Sequence, residues 1–504
     1  MTGQERLARK EQKNMRESGI LMPVFSLPSR YGIGCFSREA YAFVDRLKEA
    51  GQKKWQILPL GPTGYGDSPY QSFSTFAGNP YLIDPETLLQ EGLLTWEECE
   101  EEKLPEADAP IDYERLYHRR FPLLHRAFER FTPDESYEKF VRENEQWLPD
   151  YCLYMTIKEK EGGRSFLEWS REYRERDPEA LERARIDWKE ELDFYAFLQY
   201  TFRKQWDHLH AYANSQGIEI IGDIPIYVAL DSADTWANPK LFQIGDDHLP
   251  TGVAGCPPDA FSATGQLWGN PLFDWEYQKE TGYAWWLKRI AHCFSLYDIV
   301  RIDHFRGFDE YYAIPYGDKT AEFGRWMPGP GMDLFRTVKE QLGDLRIIAE
   351  DLGFLTDSVR QLLEDSGYPG MKVLQFAFDS REPGNYLPHT YPRNCVVYTG
   401  THDNTTTRSW YHEIRPDCRA YVKEYMHIPA LDEDTLAWNL IALAMSSVAD
   451  LCIIPMQDYL CLDDRARINK PSTLGGNWVW RMQENAFTGE LAGEIRHMTE
   501  LYGR

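Results

Sequence analysis

The chain has 504 residues, enough for several average domains or for one barrel with large insertions. Its 80 acidic residues against 55 basic ones give a formal net charge of −25, which argues against nucleic acid or an anionic membrane as the main partner, since both call for basic patches. No apolar run is long enough to span a bilayer, and the N-terminal M-T-G-Q-E-R-L-A-R-K has neither the apolar stretch nor the small-residue cleavage site of a signal peptide.

Eight short apolar runs read as strands: Ile20–Ser26, Lys54–Leu60, Glu219–Ile224, Asp298–Ile302, Leu345–Ala349, Lys372–Phe378, Cys395–Gly400 and Leu451–Met456. Most are rich in Val, Ile and Leu with little alternation, as expected of strands covered on both faces. Helical patterns lie between them, among them Arg38–Ala50, Leu192–Gln216, Ala284–Phe294, Asp333–Leu342, Thr356–Ser366 and Leu436–Ala449. Strand–helix alternation predicts a parallel sheet, and eight repeats predict an α/β fold of the (β/α)8 TIM-barrel class; a doubly wound open sheet is the competing arrangement.

Such a barrel takes about 250 residues, so the remainder is expected as insertions within a single unit over 1–504. Residues 85–193, dense in Glu, Arg, Tyr and Trp, predict a mainly helical insertion whose charge runs are solvated helix faces. Residues 225–275, rich in Gly, Pro, Asp and Trp, predict a loop-rich insertion. It leaves the third strand at its C-terminal end and so hangs over the mouth, where barrels keep function. The nine cysteines include no C-x-x-C pair, and Cys395 and Cys452 lie within apolar runs. Reduced thiols in a cytoplasmic protein fit this pattern better than a disulfide framework or a zinc site.

Three acids sit at or just after the ends of strand-like runs. In R-I-D-H-F, Arg301 and Asp303 share one face and Val300 and Ile302 the other. If the apolar pair faces the helices, Arg301 and Asp303 face the barrel axis. The guanidinium is then expected to keep Asp303 ionised with a lowered pKa, as a nucleophile requires; a purely structural ion pair is the alternative. Glu350 follows Ile347–Ala349, and partial desolvation there raises its pKa toward that of a general acid, with Asp351 as the alternate. Asp403, between His402 and Asn404, is either a helix cap or a third carboxylate that grips hydroxyls or steadies positive charge. Asp223 in I-I-G-D-I-P is a fourth acid at a strand end.

Aromatic rings interleave with hydrogen-bonding residues in G-Y-G-D-S-P-Y-Q (64–71), G-Q-L-W-G-N-P-L-F-D-W (265–275) and G-G-N-W-V-W (475–480). Flat rings beside donors and acceptors suit a pyranose, whose C–H face stacks and whose rim bonds. Paired carboxylates at such a mouth fit glycosidic bond cleavage. A divalent ion held by Asp303, His304, His402 and Asp403 is the rival reading, weakened because Asp303 and His304 are neighbours on a strand and point apart. No Gly-rich phosphate loop follows any strand.

Along almost its whole length the chain resembles glycoside hydrolase family 77 of the α-amylase clan, the 4-α-glucanotransferases known as amylomaltases or disproportionating enzymes. The resemblance rests on L-P-L-G-P-T-G-Y-G-D-S-P-Y-Q (58–71), G-D-I-P-I-Y-V (222–228), A-G-C-P-P-D-A-F-S (254–262), G-Q-L-W-G-N-P-L-F-D-W (265–275), R-I-D-H-F-R-G-F (301–308), A-E-D-L-G (349–353), G-T-H-D-N (400–404) and G-G-N-W (475–478). It implies a (β/α)8 barrel without the C-terminal β-sandwich of the α-amylases. It implies Asp303 as nucleophile, Glu350 as acid/base and Asp403 as transition-state stabiliser. Arg301, His304, His402 and Asp223 would surround the scissile bond, and Ser68, Tyr70 and Gln71 would contact the donor sugar. Asp259, Gln266 and Trp268 would belong to a covering loop, with Asn477 as a further contact. The segment Cys461–Thr473 matches the family less closely.

By that resemblance the reaction is retaining transfer of an α-1,4-glucan segment to the 4-hydroxyl of another glucan or of glucose. The partners would be maltooligosaccharides or starch- and glycogen-type glucans, and no metal or organic cofactor is used. From the acids alone, a hydrolase and a transferase are equal, and a catalytically silent glucan-binding protein stays open beside them.

Overall fold

The computed structural model describes residues 16–64, 66–258, 262–353, 355–379, 386–428 and 433–504. Among the described residues twelve strands form two sheets: β1 (Glu17–Leu21), β2 (Lys54–Gln56), β3 (Glu219–Pro225), β4 (Gly252–Cys256), β5 (Gln266–Pro271), β6 (Ile299–Asp303), β7 (Glu310–Pro315), β8 (Arg325–Pro328), β9 (Ile347–Ala349), β10 (Gly370–Val373), β11 (Cys395–Tyr398) and β12 (Leu451–Pro455). Eight of them, in the order β10-β11-β12-β1-β2-β3-β6-β9, make an all-parallel sheet. That order follows the chain around a ring. Across the seam the Ala349 N–H donates to Pro369 C=O at 2.9 Å, and the Met371 N–H donates to Asp351 Oδ1 at 2.6 Å. The fold is a (β/α)8 barrel.

All eight strand-like runs supply a barrel strand, but the apolar runs continue past the last ladder bond. The segment Val24–Ser26 and the segment Leu374–Phe376 are 3₁₀ turns. These turns stay largely buried, Val24, Phe25, Leu374 and Gln375 among them, so hydrophobicity alone does not mark where pairing ends.

The enclosing helices follow their sequence patterns. In Arg38–Glu49, Ala40, Phe43, Val44 and Leu47 form one buried stripe at helical spacing, and Ser37 caps the start by accepting from the Glu39 N–H. Between residues 85 and 187 the structure holds the helices Pro85–Gln90, Trp96–Glu102, Tyr113–Arg130, Glu135–Glu143, Leu148–Lys160, Arg171–Arg174 and Pro178–Asp187. Leu148–Lys160 is largely buried, because it packs against both Lys189–Ser215 and Ala233–Ala237.

Residues 225–275, expected to be loop-rich, run mostly outside regular elements where described, but they are not all loop. They contain β4 and β5, which join β7 and β8 in a four-stranded antiparallel sheet of order β5-β4-β7-β8. The sequences G-V-A-G-C and Q-L-W-G-N-P carry Gly and Pro, which mask a strand pattern; pairing of β4 to both β5 and β7 overrides that propensity.

At the N-terminal end of the barrel, Lys54 on β2 is almost fully buried. Its ammonium lies 2.6 Å from Glu17 on β1 and 2.7 Å from Glu219 on β3, and Glu219 also pairs with Arg346. Burial alone would raise Glu219, but hydrogen bonds from Arg346 and Lys54 win and hold it below the ordinary carboxylate range.

Candidate active site

The C-terminal end of the barrel gathers four acids. Asp303 is the last residue of β6, and Glu350 directly follows β9, the neighbouring strand. Asp223 lies in β3 in register with Arg301 on β6. Asp403 stands on the turn after β11.

Arg301 ties the first group together. Its Nη1 donates to both oxygens of Asp223, at 2.8 and 2.7 Å, while Nη2 donates to Asp303 Oδ1 at 2.9 Å. Asp223 is fully buried, and its Oδ2 also accepts from the Tyr70 hydroxyl at 2.8 Å. With the phenolic proton given to Asp223, Tyr70 must accept from His402 Nε2 at 2.9 Å, which places a proton on that nitrogen. The same Nε2 lies 3.2 Å from Asp403 Oδ2. One chain of contacts therefore runs from Asp303 through Arg301, Asp223, Tyr70 and His402 to Asp403.

Asp303 departs from its sequence-based expectation. Burial raises its pKa to about 6, because Arg301 spends two of its three carboxylate contacts on Asp223 and because Asp223 and Asp403 add like charge. Glu350 follows its expectation: burial and the neighbouring Asp303 push it up to about 7, against the opposing pull of Arg301. Two backbone donors orient it, His304 N–H to Oε2 at 2.7 Å and Leu352 N–H to Oε1 at 2.8 Å. The first exists because His304 adopts a left-handed backbone (φ 53°, ψ 46°) that turns the chain sharply after β6. For a residue with a Cβ that geometry costs about 1–2 kcal/mol. Asp351, the alternate acid, faces away and closes the seam to Met371.

Asp403 is the opposite case. Burial would raise it, yet His402 and Asn469 hold it down at about 2. Its partner is not the adjacent Asn404, whose Oδ1 accepts from Thr401, but Asn469, whose Nδ2 donates to Asp403 Oδ1 at 2.6 Å. The attraction of Asp403 also raises His402, against its own desolvation.

Around this centre, Trp268 meets His304 edge-on at 4.8 Å between ring centroids, and its Nε1 donates to Gln266 Oε1 at 3.1 Å. Burial lowers His304 to about 3, so its ring is neutral, and its Nε2 has no hydrogen-bond partner among the described residues. Ser68 Oγ accepts from the Tyr70 N–H, and Gln71 Nε2 donates to Asn270 Oδ1. Asn477 is spent on its own loop: Oδ1 accepts from Lys470 N–H, and Nδ2 donates to Thr473 O and Oγ1. Asp259 lies outside the described residues. Sequence reasoning missed Arg467 and Asn469, since Arg and Asn in a polar loop carry no local signal of a tertiary partner.

An acid-built centre at the C-terminal mouth of a (β/α)8 barrel fits an enzyme that acts on glycosidic bonds. A model of the family described as 4-alpha-glucanotransferase matches residues 22–487. The 4-alpha-glucanotransferase of Clostridium butyricum is 48 % identical over 96 % of this chain and 100 % of its own length, and that of Thermus thermophilus is 45 % identical over 96 % and 98 %. The solved amylomaltase from Streptococcus agalactiae in complex with acarbose superposes with a TM-score of 0.94 at 41 % identity, covering 97 % of this chain and 99 % of that one. The chain belongs to the 4-α-glucanotransferase family.

Proposed function

We propose that the chain moves a 4-α-glucanosyl segment between α-1,4-glucans by double displacement, with Asp303, Glu350 and Asp403 as its catalytic residues. Asp303 attacks the anomeric carbon as the bond to the leaving 4-oxygen breaks and Glu350 gives its proton to that oxygen. The acceptor's 4-hydroxyl then attacks the same carbon, its proton passes to Glu350, and the Asp303 carboxylate leaves. Two inversions at one carbon give net retention. Asp403, ionised and fixed, lies against the positive charge that develops on the sugar.

The observation that carries this reading is the placement of the acid pair on neighbouring strands. Asp303 ends β6 with one oxygen on the Arg301 guanidinium, and Glu350 follows β9, oriented by two backbone donors and pushed up by burial and by Asp303, as a proton-bearing acid requires. His304, Trp268, Gln266, Ser68, Tyr70, Gln71 and Asp259 would bind the sugars around the scissile bond, the unpartnered His304 Nε2 being free to meet a hydroxyl. Maltooligosaccharides and starch- or glycogen-type glucans are the proposed substrates. No disulfide joins the cysteines among the described residues, which supports a reducing, cytoplasmic setting, and no described helix is long and apolar enough to cross a membrane.

Incubation with maltotriose tests the reaction. Transfer gives a ladder of longer maltooligosaccharides plus glucose; growth of reducing ends without longer products would make it a hydrolase, and no product at all would leave only glucan binding.

A further inference from the structure

The loop that follows β12 reaches back to Asp403 through two residues the catalytic scheme does not use. Asn469 donates from Nδ2 to Asp403 Oδ1 at 2.6 Å, and its N–H donates to His402 C=O at 3.1 Å. Arg467 donates from Nη2 to Asp403 C=O at 2.9 Å and from Nε to Asn469 C=O at 2.8 Å. The backbone and the carboxylate of Asp403 are thus both gripped from one strand of loop. That loop is itself closed: Trp478 N–H donates to Ile468 C=O at 2.7 Å, and Asn477 pins Lys470 and Thr473 inside it. The exposed Leu474 stands at its tip.

A carboxylate on a turn, five residues beyond its strand, has two side-chain torsions to lose before it can face a developing charge. His402 fixes one oxygen and Asn469 the other. We infer that Asn469 is a positioning residue for Asp403, held in place by Arg467, and that it sets the orientation of the Asp403 carboxylate in the transition state. The inference rests on the proposed role of Asp403.

Asn469→Ala removes the donor and leaves the rest of the loop intact. The expected result is a fall in kcat of about 100-fold on maltotriose, with KM changed less than about threefold, because the oriented charge matters when the bond breaks and not when the sugar binds. Asn469→Asp separates positioning from mere packing. A carboxyl at 469 faces Asp403 Oδ1, and the charged groups around it are His402, Arg467 and, across the site, Arg301 and Asp303. Two carboxylates so close resist ionising together, so the second proton leaves at a higher pH than from an isolated Asp. At pH 5 the pair holds a proton and residue 469 donates an O–H to Asp403; toward pH 7 that proton is lost.

Asn469→Asp should therefore recover at least about tenfold relative to wild type between pH 7 and pH 5, while Asn469→Ala recovers nothing. Equal losses in the two variants at every pH, or kcat of Asn469→Ala within twofold of wild type, would overturn the inference. Asp403→Ala is the control. If it stays active, the proposed role of Asp403 fails; if it is dead while Asn469→Ala is unimpaired, the positioning claim alone fails.

Discussion

The two ends of the barrel handle buried charge differently. At the N-terminal end, Lys54 and Arg346 face Glu17 and Glu219, two cations against two anions. At the C-terminal end, Asp223, Asp303, Glu350 and Asp403 share one guanidinium, Arg301, and one histidine, His402. The balanced end lowers the pKa of Glu219, whereas at the other end burial, with like charge added, raises Asp303 and Glu350, while His402 and Asn469 hold Asp403 down. A barrel stabilises itself at one mouth and accepts strain at the other.

Neutralising single charges sharpens this contrast. Asp303→Asn should lower kcat by at least ~10⁴-fold, as removing a nucleophile does, measured as initial rates of maltotriose disproportionation. Lys54→Met should leave kcat within about twofold and cost about 2 kcal/mol of stability, discounted for the water that reaches Glu17 and Glu219. In a thermal melt at pH 7, Asp303→Asn moves the other way, to a higher Tm. The raised pKa means that the folded state prefers a neutral group at 303; the penalty is absent below about pH 4 and complete above about pH 6, so the gain in Tm vanishes at pH 4. Equal Tm shifts for the two variants would erase the difference between the ends.

The smallest effect is in the pH profile. The rate should climb as Asp303 ionises through about 6 and fall as Glu350 loses its proton through about 7, a narrow bell belonging to the coupled pair. A plateau extending to pH 9 in kcat/KM would sink the assignment of Glu350 as the acid.

Much of the architecture was legible because parallel strands buried on both faces write themselves as apolar runs. The acids were legible because an Asp or Glu closing such a run, as in R-I-D-H-F and I-I-A-E, is conspicuous. What stayed hidden was how donors are divided. Sequence spacing places Arg301 beside Asp303, but only the β3–β6 register puts Asp223 on the same guanidinium and takes most of it away. Likewise Asp403 and Asn469 are separated by more than sixty residues, and their bond depends on how the loop after β12 folds back. The strands β4 and β5 were masked by their glycines and prolines.

The seam of the ring has a bearing on lifetime. Seven strand pairs are laddered, but between β9 and β10 the closure rests on the Ala349–Pro369 hydrogen bond and on the Asp351 carboxylate. Glu350 sits between those two residues. Local opening favours thinly paired segments, so warming is expected to cost the acid its alignment while the rest of the barrel is still closed. Activity should then be lost at a lower temperature than the fold, and reinforcing a few residues around Met371 should prolong working life more than strengthening the core.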